Sequence, residues 1–137
     1  MQKVRDVMSA GPIVLQRHRS IAEAARAMRD NAVGVVLVVD GEALCGLVTD
    51  RDIVVRALAE SAAPDTPVGQ VCTAHLVAVN ADDDAGEAIR VMREHAVRRL
   101  PVMDDGRVVG IVSIGDLAVE RDERSALADI SAARPSR

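Results

Sequence analysis

Two pairs of side chains in this sequence combine a hydroxyl with a carboxylate three residues later: Thr49 with Asp52, and Ser113 with Asp116. A carboxylate can accept two hydrogen bonds from the cis-diol of a ribose, and the neighbouring hydroxyl and free backbone N–H groups can take the sugar or a phosphate. Such a pair would therefore clamp a nucleoside. The same pair can instead cap a helix, because the hydroxyl accepts from an unpaired N–H and the carboxylate favours the positive helix end. Local physics by itself favours the cap.

The two pairs occupy equivalent positions of an internal repeat that keeps one offset, 64 residues, without a gap. Identical residues recur throughout the repeat, among them Val4 and Val68, Glu23 and Glu87, Ala32 and Ala96, and Gly46 and Gly110. A fixed period of this kind predicts two copies of one unit. Two small units are expected to bury their apolar faces against each other, with a pseudo-two-fold axis and two equivalent clefts at the seam. The recurrence strengthens the ribose interpretation, although an inherited capping preference would recur as well.

Each copy is expected to fold as β-α-β-β-α. Ser20 and Glu23 form a capping box that starts the first helix. The apolar face of that helix, taken from helical spacing, comprises Ile21, Ala24, Ala25 and Met28. The β-branched run at 35–39 predicts a strand buried on both faces. The predicted strands are 13–15, 35–39, 44–48, 76–79, 100–103 and 108–112, and the predicted helices are 21 to about 32, 51–60, 84–95 and 115–122.

Four segments are predicted along the chain: a first repeat at 1–60, a linker at 61–67, a second repeat at 68–123 and a C-terminal tail at 124–137. Pro64 and Pro67 enclose two turn-forming residues and mark the linker. The tail lies outside the repeat and is rich in Ala, Ser and Arg, so it is expected to fray and to contribute little to folding.

Composition narrows the class of protein and of partner. The 137 residues are 49% hydrophobic with no Phe, Tyr or Trp, so the core must be aliphatic and a ligand base would pack on aliphatic side chains. A formal net charge of -4 argues against a nucleic-acid partner, which would need a basic face. No apolar run is long enough for a membrane span, and the first residues lack the apolar stretch of a signal peptide, so the expected location is cytoplasmic.

The reactive residue types do not predict a metal centre or a catalytic site. Cys45 and Cys72 occupy non-equivalent repeat positions, and both are expected to act as small apolar residues. The histidines share no ligand spacing, although a zinc site from His75, Cys72 and a third group remains a minor alternative. Thr49 and Ser113 have no histidine near them in sequence, so nucleophilic catalysis is not expected.

These motifs together resemble a tandem pair of CBS (cystathionine β-synthase) domains, a regulatory module, over roughly residues 3 to 120. The resemblance rests on Val4-x-x-Val7-Met8 and on the segments 24–28, 38–41, 46–52, 98–104 and 110–116. It implies an α+β fold of two β-α-β-β-α repeats whose sheets pack face to face, in the free-standing class without an attached effector domain. It also implies two clefts of a kind that often bind AMP, ADP, ATP, S-adenosylmethionine or NAD.

The resemblance also implies ligand contacts, residue by residue. The ribose contacts would be Thr49, Asp52, Ser113 and Asp116, the phosphate contacts Arg98 and Arg99, and the base contacts Pro12, Ile13, Leu76 and Val77. In the first copy, Gly34 and Val35 stand in place of the two arginines, and the chain has no aromatic residue to cover an adenine. The second-copy cleft is therefore expected to favour phosphorylated ligands.

We interpret the chain as a regulatory, ligand-sensing module rather than an enzyme. It would bind an adenine nucleotide or a related adenosyl compound, require no cofactor, form a homodimer and act on an effector protein that the sequence does not identify. The alternative is a structural or interaction protein with unoccupied clefts, whose hydroxyl–carboxylate pairs only cap helices. The candidate dimer contacts are Val54, Val55, Leu58, Leu117 and Val119.

Overall fold

The computed structural model describes residues 2–73 and 77–121, with side chains as far as residue 118. This part of the chain has the expected α+β fold, with two sheets and flanking helices. The α-helices are α1 Val4–Val7, α2 Ile21–Asn31, α3 Asp50–Asp52, α4 Ala85–His95 and α5 Ile114–Arg121. The strands are β1 Ser9–Ala10, β2 Val14–Gln16, β3 Val35–Asp40, β4 Ala43–Thr49, β5 Val79–Asn80, β6 Arg99–Asp104 and β7 Arg107–Ser113. None of the helices in this part of the chain has the length and apolar character needed to cross a bilayer.

The described residues divide into two compact units, each combining the hairpin of one repeat with the lead-in segment of the other. The first-copy unit holds residues 13–73, and the second-copy unit holds 2–12 and 77–121. In the second-copy unit, β1 pairs with β7 through Ser9 and Ile111. In the first-copy unit, the bridge between Thr73 and Leu47 repeats that pairing at the equivalent positions. This division does not test the sequence boundaries given above, which stay predictions.

Each unit is built around an antiparallel hairpin. The strand order is β2-β3-β4 in the first-copy unit and β1-β7-β6-β5 in the second-copy unit, and β2 and β5 run parallel to their neighbours. A register shift interrupts both hairpins at the same repeat position, after Val38 in β3 and after Val102 in β6. Residues 36–39 of β3 are all buried, which confirms the prediction of a strand covered on both faces.

The long helices α2 and α4 lie where the sequence predicts them, and each ends at an alanine in the left-handed conformation, Ala32 and Ala96. The Glu23 N–H donates to Ser20 Oγ at 3.1 Å, which confirms the first cap. The predicted apolar face of α2 was wrong at Ala25, which is exposed because the stripe that packs on the core is narrower than the spacing allowed. The buried residues of α2 are Ile21, Ala24 and Met28.

The helical segment that follows the hairpin differs between the two copies. In the second copy it is the α-helix α5, whereas in the first copy α3 leads into a π-helix at Ile53–Ala57 and a 3₁₀ turn at Leu58–Glu60. The prediction of one continuous α-helix over 51–60 was therefore wrong, because this segment is divided into α-, π- and 3₁₀-helical parts. Residues 53–55 are three consecutive β-branched side chains, which crowd the preceding turn and lower α-helix propensity.

The predicted dimer contacts separate into exposed and buried residues. Val54, Val55 and Leu58 are 55%, 46% and 70% exposed. Leu117 is only 4% exposed and belongs to the core of the second-copy unit, so its selection as a dimer contact was wrong. The side chain of Val119 and the tail at 124–137 lie outside the described residues.

Candidate functional site

One end of the sheet in the first-copy unit brings together residues from separate parts of the sequence. β3 begins at Val35, and its register partner on β4 is Thr49. On the other side of β3, the Leu37 N–H donates to the Ile13 carbonyl at 2.9 Å. Thr49 and Ile13, a predicted ribose and a predicted base residue, therefore flank β3 near its start, which is the position equivalent to the arginine pair of the second copy.

The second-copy unit repeats this arrangement with different side chains. Arg99 is the register partner of Ser113, and the Ile114 N–H donates to the Arg98 carbonyl at 2.9 Å. Both arginines are exposed, and within the described part of the chain neither side chain makes a hydrogen bond or an ion pair. Two guanidinium groups are therefore available at the end of the sheet that also carries the second hydroxyl–carboxylate pair.

Three of the four predicted base contacts lie within the described residues. Ile13 is half-buried and leads directly into β2. Pro12 and Val77 are also half-buried, while Leu76 lies outside the described residues. Ile13 and Val77 thus occupy equivalent places, each just before the strand that runs parallel to the central strand of its unit.

The hydroxyl–carboxylate pairs form reciprocal hydrogen bonds at the start of a helix. The Asp52 N–H donates to Thr49 Oγ1 at 3.1 Å, and the Thr49 N–H donates to Asp52 Oδ2 at 2.9 Å. Ser113 and Asp116 make the same two bonds at 3.2 and 2.8 Å. Both pairs are therefore capping boxes, as the simpler interpretation of the sequence predicts.

Capping leaves one oxygen of each carboxylate without a partner. Among the described residues, Oδ1 of Asp52 and Oδ1 of Asp116 accept no hydrogen bond, and both side chains are half-buried. An ionised carboxylate offers about four acceptor sites over its two oxygens. Capping and ribose binding are therefore compatible, because one oxygen can hold the helix start while the other accepts from a hydroxyl.

Asp50 belongs to the same sheet end and is not among the site residues predicted from the sequence. Its N–H donates to the Gly34 carbonyl at 3.0 Å, and a Cβ added at Gly34 would lie 3.3 Å from Asp50 Oδ2. The equivalent residues of the second copy are Ile114 and Arg98, joined by the same backbone hydrogen bond. The repeat alignment shows a change of charge at each of these two positions, but the two positions are far apart in the sequence.

The two cysteines lie in the first-copy unit away from this sheet end. Both are half-buried and pack against the apolar core of that unit. Burial raises the pKa of the Cys72 thiol, whose Sγ lies 3.5 Å from the Gly69 carbonyl. A thiol with a raised pKa is a poor nucleophile. Among the described residues, no group of three or more His, Cys, Asp and Glu is arranged to hold a metal ion, and His75 lies outside them.

Comparison with known proteins finds relatives over almost the whole chain. The family model for the CBS domain matches twice, at residues 4–58 and 68–122. The CBS domain-containing protein YhcV of Bacillus subtilis (strain 168) is 38% identical over 135 residues, which cover 96% of this chain and 96% of that protein.

Solved structures show the same fold. The crystal structure of Hypoxic Response Protein I with two coordinated zinc ions has a TM-score of 0.75 and 35% identity, covering 88% of this chain and 99% of that one. The CBS domain pair of protein MJ0100, in complex with 5′-methylthioadenosine and S-adenosyl-L-methionine, has a TM-score of 0.79 and 27% identity, covering 91% and 99%. Both likenesses extend over the two repeats.

Proposed function

Because this chain belongs to the CBS domain family and carries two such domains in tandem, we propose that it is a regulatory module that senses an adenine nucleotide or a related adenosyl compound. The observation that carries the proposal is an uncommitted carboxylate oxygen beside a hydroxyl, at equivalent sheet ends of both copies. The adenosyl compounds in the MJ0100 complex support this ligand class. The module acts by binding and not by catalysis.

The ribose would be held by the two capping boxes. Asp52 and Asp116 would each accept from the cis-diol through Oδ1, and Thr49 and Ser113 would contact the sugar through their hydroxyl groups. Ligand binding would not require either cap to break, since Oδ2 alone accepts the cap hydrogen bond. The base would rest on aliphatic surface, against the residues Pro12 and Ile13 in the first copy and Leu76 and Val77 in the second.

The two sites are proposed to differ in their affinity for phosphate. Arg98 and Arg99 are exposed and unpaired within the described residues, so they can meet a phosphate without losing an existing ion pair. A hydrogen bond to a charged group contributes about 1.5–3 kcal/mol, which corresponds to roughly tenfold or more in affinity. The first copy has Gly34 and Val35 at these positions and gains no such contact.

A thermal-shift panel tests the proposal directly. A ligand present at a hundred times its dissociation constant stabilises the folded form by about 2.7 kcal/mol. AMP, ADP, ATP, adenosine and S-adenosylmethionine are compared with GMP, which carries the same sugar and phosphate on another base. We expect at least one adenine compound to raise the melting temperature by several degrees and GMP to raise it less. No shift and no calorimetric heat with any adenine compound would contradict the proposal.

A structural or interaction protein with unoccupied clefts is the second candidate function. The observation that favours it is that both capping boxes are complete without a ligand. In this case substitution of Asp52 or Asp116 would change stability through the helix cap and nothing else. The thermal-shift panel separates the two candidates.

We also propose that the module associates as a homodimer through the helical segment after β4. Val54, Val55 and Leu58 are large apolar side chains on that segment and are about half exposed or more. Covering them would remove apolar surface from water. Sedimentation across the micromolar range checks the proposal, and a monomer mass that does not change with concentration would contradict it.

A further inference from the structure

The carboxylate of Asp50 occupies the space into which a side chain at position 34 would project. A Cβ added at Gly34 would lie 3.3 Å from Asp50 Oδ2 and 3.6 Å from Oδ1. The backbone holds the two residues together through the hydrogen bond from the Asp50 N–H to the Gly34 carbonyl at 3.0 Å. The Arg51 N–H also donates to Asp50 Oδ1 at 2.9 Å. The fold thus places the negative charge of Asp50 beside Gly34, the residue that immediately precedes β3.

The same backbone contact carries the opposite charge in the second copy. There the Ile114 N–H donates to the Arg98 carbonyl at 2.9 Å, so Arg98 corresponds to Gly34 and Ile114 corresponds to Asp50. Residue 98 is a guanidinium, and Ile114 is an aliphatic side chain that is 55% exposed. The same hydrogen-bonded pair of positions therefore carries a carboxylate on its donor residue in the first copy and a guanidinium on its acceptor residue in the second.

Neighbouring charges do not cancel this difference. Asp52 adds a second carboxylate to the first-copy site, and the nearby Arg51 guanidinium makes no ion pair with any described residue. In the second copy, two arginines stand beside the single carboxylate of the capping box. The carboxylates thus outnumber the cations at the first site, and the cations outnumber the carboxylates at the second.

We infer that Asp50 makes the first-copy site select adenosyl compounds with a positively charged 5′ substituent, such as a sulfonium, over phosphorylated ones. The inference rests on the proposed function, because it assumes that Thr49 and Asp52 hold the ribose with its 5′ carbon toward the start of β3. A cationic 5′ substituent near the Asp50 carboxylate would be attracted to it, and a phosphate there would be repelled. The exposure of Asp50 limits the effect through solvent screening.

Calorimetry on the full chain tests this selection. The parent carries Asp116→Ala, which weakens the second-copy site and so increases the share of the signal that comes from the first-copy site. S-adenosylmethionine, whose sulfur is a sulfonium, is compared with 5′-methylthioadenosine, whose sulfur is a neutral thioether, and with AMP. Asp50→Asn removes the charge and keeps an acceptor for the Arg51 N–H. The matched control is Asp65→Asn, which removes the same charge from an exposed turn of the same unit.

We expect Asp50→Asn to lower the preference for S-adenosylmethionine over 5′-methylthioadenosine by about fivefold, since an exposed charge pair contributes up to roughly 1 kcal/mol. AMP binding should become tighter, and the control should change neither ratio. Asp50→Ile, the residue of the second copy, should act in the same direction.

The outcomes separate failure of the Asp50 selectivity from failure of the proposed function. Binding of the adenosyl compounds with the same ratios in parent and Asp50→Asn would overturn the selectivity and leave the proposed function standing. If the unaltered chain binds none of the three compounds, the role of Asp50 is rejected, and the proposed function is rejected as well if ADP, ATP and adenosine also fail to bind.

Discussion

The two sheet ends of this protein share a backbone and differ in charge. Both hairpins have a register shift at the same repeat position, and both end in a capping box with nearly the same distances. The difference lies in the residues just before and just after the hairpins, where Gly34 and Asp50 correspond to Arg98 and Ile114. Buried strand residues maintain the fold, whereas exposed positions change at little cost in stability. The two copies thus share the hairpin and the capping box and differ in the charge of the side chains beside them.

The largest expected effect comes from removing a ribose acceptor. Asp116→Ala should weaken AMP binding at the tighter site by about tenfold or more, because a charged acceptor contributes about 1.5–3 kcal/mol. Asp52→Ala should remove the weaker site and leave most of the AMP heat in place. Calorimetry with AMP and adenosine measures both losses. Equal loss of AMP binding from the two variants would break the proposed asymmetry.

Each of these substitutions also removes the carboxylate half of a capping box, which by itself lowers the stability of the helix start. Ser20→Ala is a control for the loss of a cap hydrogen bond, because Ser20 Oγ accepts the cap hydrogen bond of α2 and Ser20 is not a predicted ligand contact. We expect this control to lower the melting temperature without changing the affinity for AMP. A matching loss of affinity in Ser20→Ala would assign the effect to folding rather than to ribose contact.

The next effect concerns phosphate. Replacing both Arg98 and Arg99 by alanine should reduce the preference of the second-copy site for AMP over adenosine by about tenfold, with adenosine binding nearly unchanged. Arg107→Ala is the control, since Arg107 is an exposed arginine at the other end of the same hairpin. An unchanged preference in the double variant would show that these arginines do not contact the phosphate.

A smaller effect is expected when the first copy is converted to the pattern of the second. Gly34→Arg together with Asp50→Ile should raise the affinity of the first-copy site for AMP by about fivefold, the upper range for an exposed charge interaction. Space for the new side chain exists once Asp50 is replaced, because the Asp50 carboxylate is the nearest obstacle to a Cβ at Gly34. Calorimetry in the Asp116→Ala background measures the gain, and no gain would mean that the copies differ in more than local charge.

The smallest effect is expected from the tail. Truncation after Asp122 should leave the melting temperature and the AMP-to-adenosine ratio nearly unchanged, because the tail lies outside the repeat and contains few large apolar residues. Thermal unfolding and calorimetry of the truncated chain check this. A drop of many degrees would show that the tail packs on the fold, and a changed ratio would show that it contributes to the difference between the sites.

Local patterns predicted much of the fold and the two capping boxes of the candidate site, whereas the phosphate and base contacts came from the family resemblance and stay predictions. The period of 64 residues, the capping box at Ser20 and the β-branched run at 35–39 each correspond to an observed element. Two of the wrong predictions concerned the burial of individual helix residues. Helical spacing placed Ala25 on the buried face of α2, because the period of a helix does not define how wide its packed stripe is. Leu117 was expected on exposed helix surface as a dimer contact, and it lies in the core of the second-copy unit.

Asp50 was missed because its meaning depends on a neighbour that is distant in sequence. In the sequence it is one more acidic residue in the first turn of a helix, which dipole and capping effects explain. The pairing of β3 with β4 brings Asp50 next to Gly34, where it contacts the position that a Cβ would occupy. The sequence alone does not show this contact.

The sequence by itself determined the repeat, the strand–helix–hairpin order after the lead-in of each copy, the aliphatic core and the two hydroxyl–carboxylate pairs, because each follows from local spacing and side-chain type. It did not predict α1 and β1, which precede the first predicted strand. The tertiary structure alone decided that the lead-in of each repeat pairs with the hairpin of the other, through Ser9 with Ile111 and Thr73 with Leu47. It also decided that a π-helix follows the first hairpin and that Asp50 covers Gly34. The physical reason is that strand pairing and close packing depend on which distant segments meet, and local spacing does not determine this.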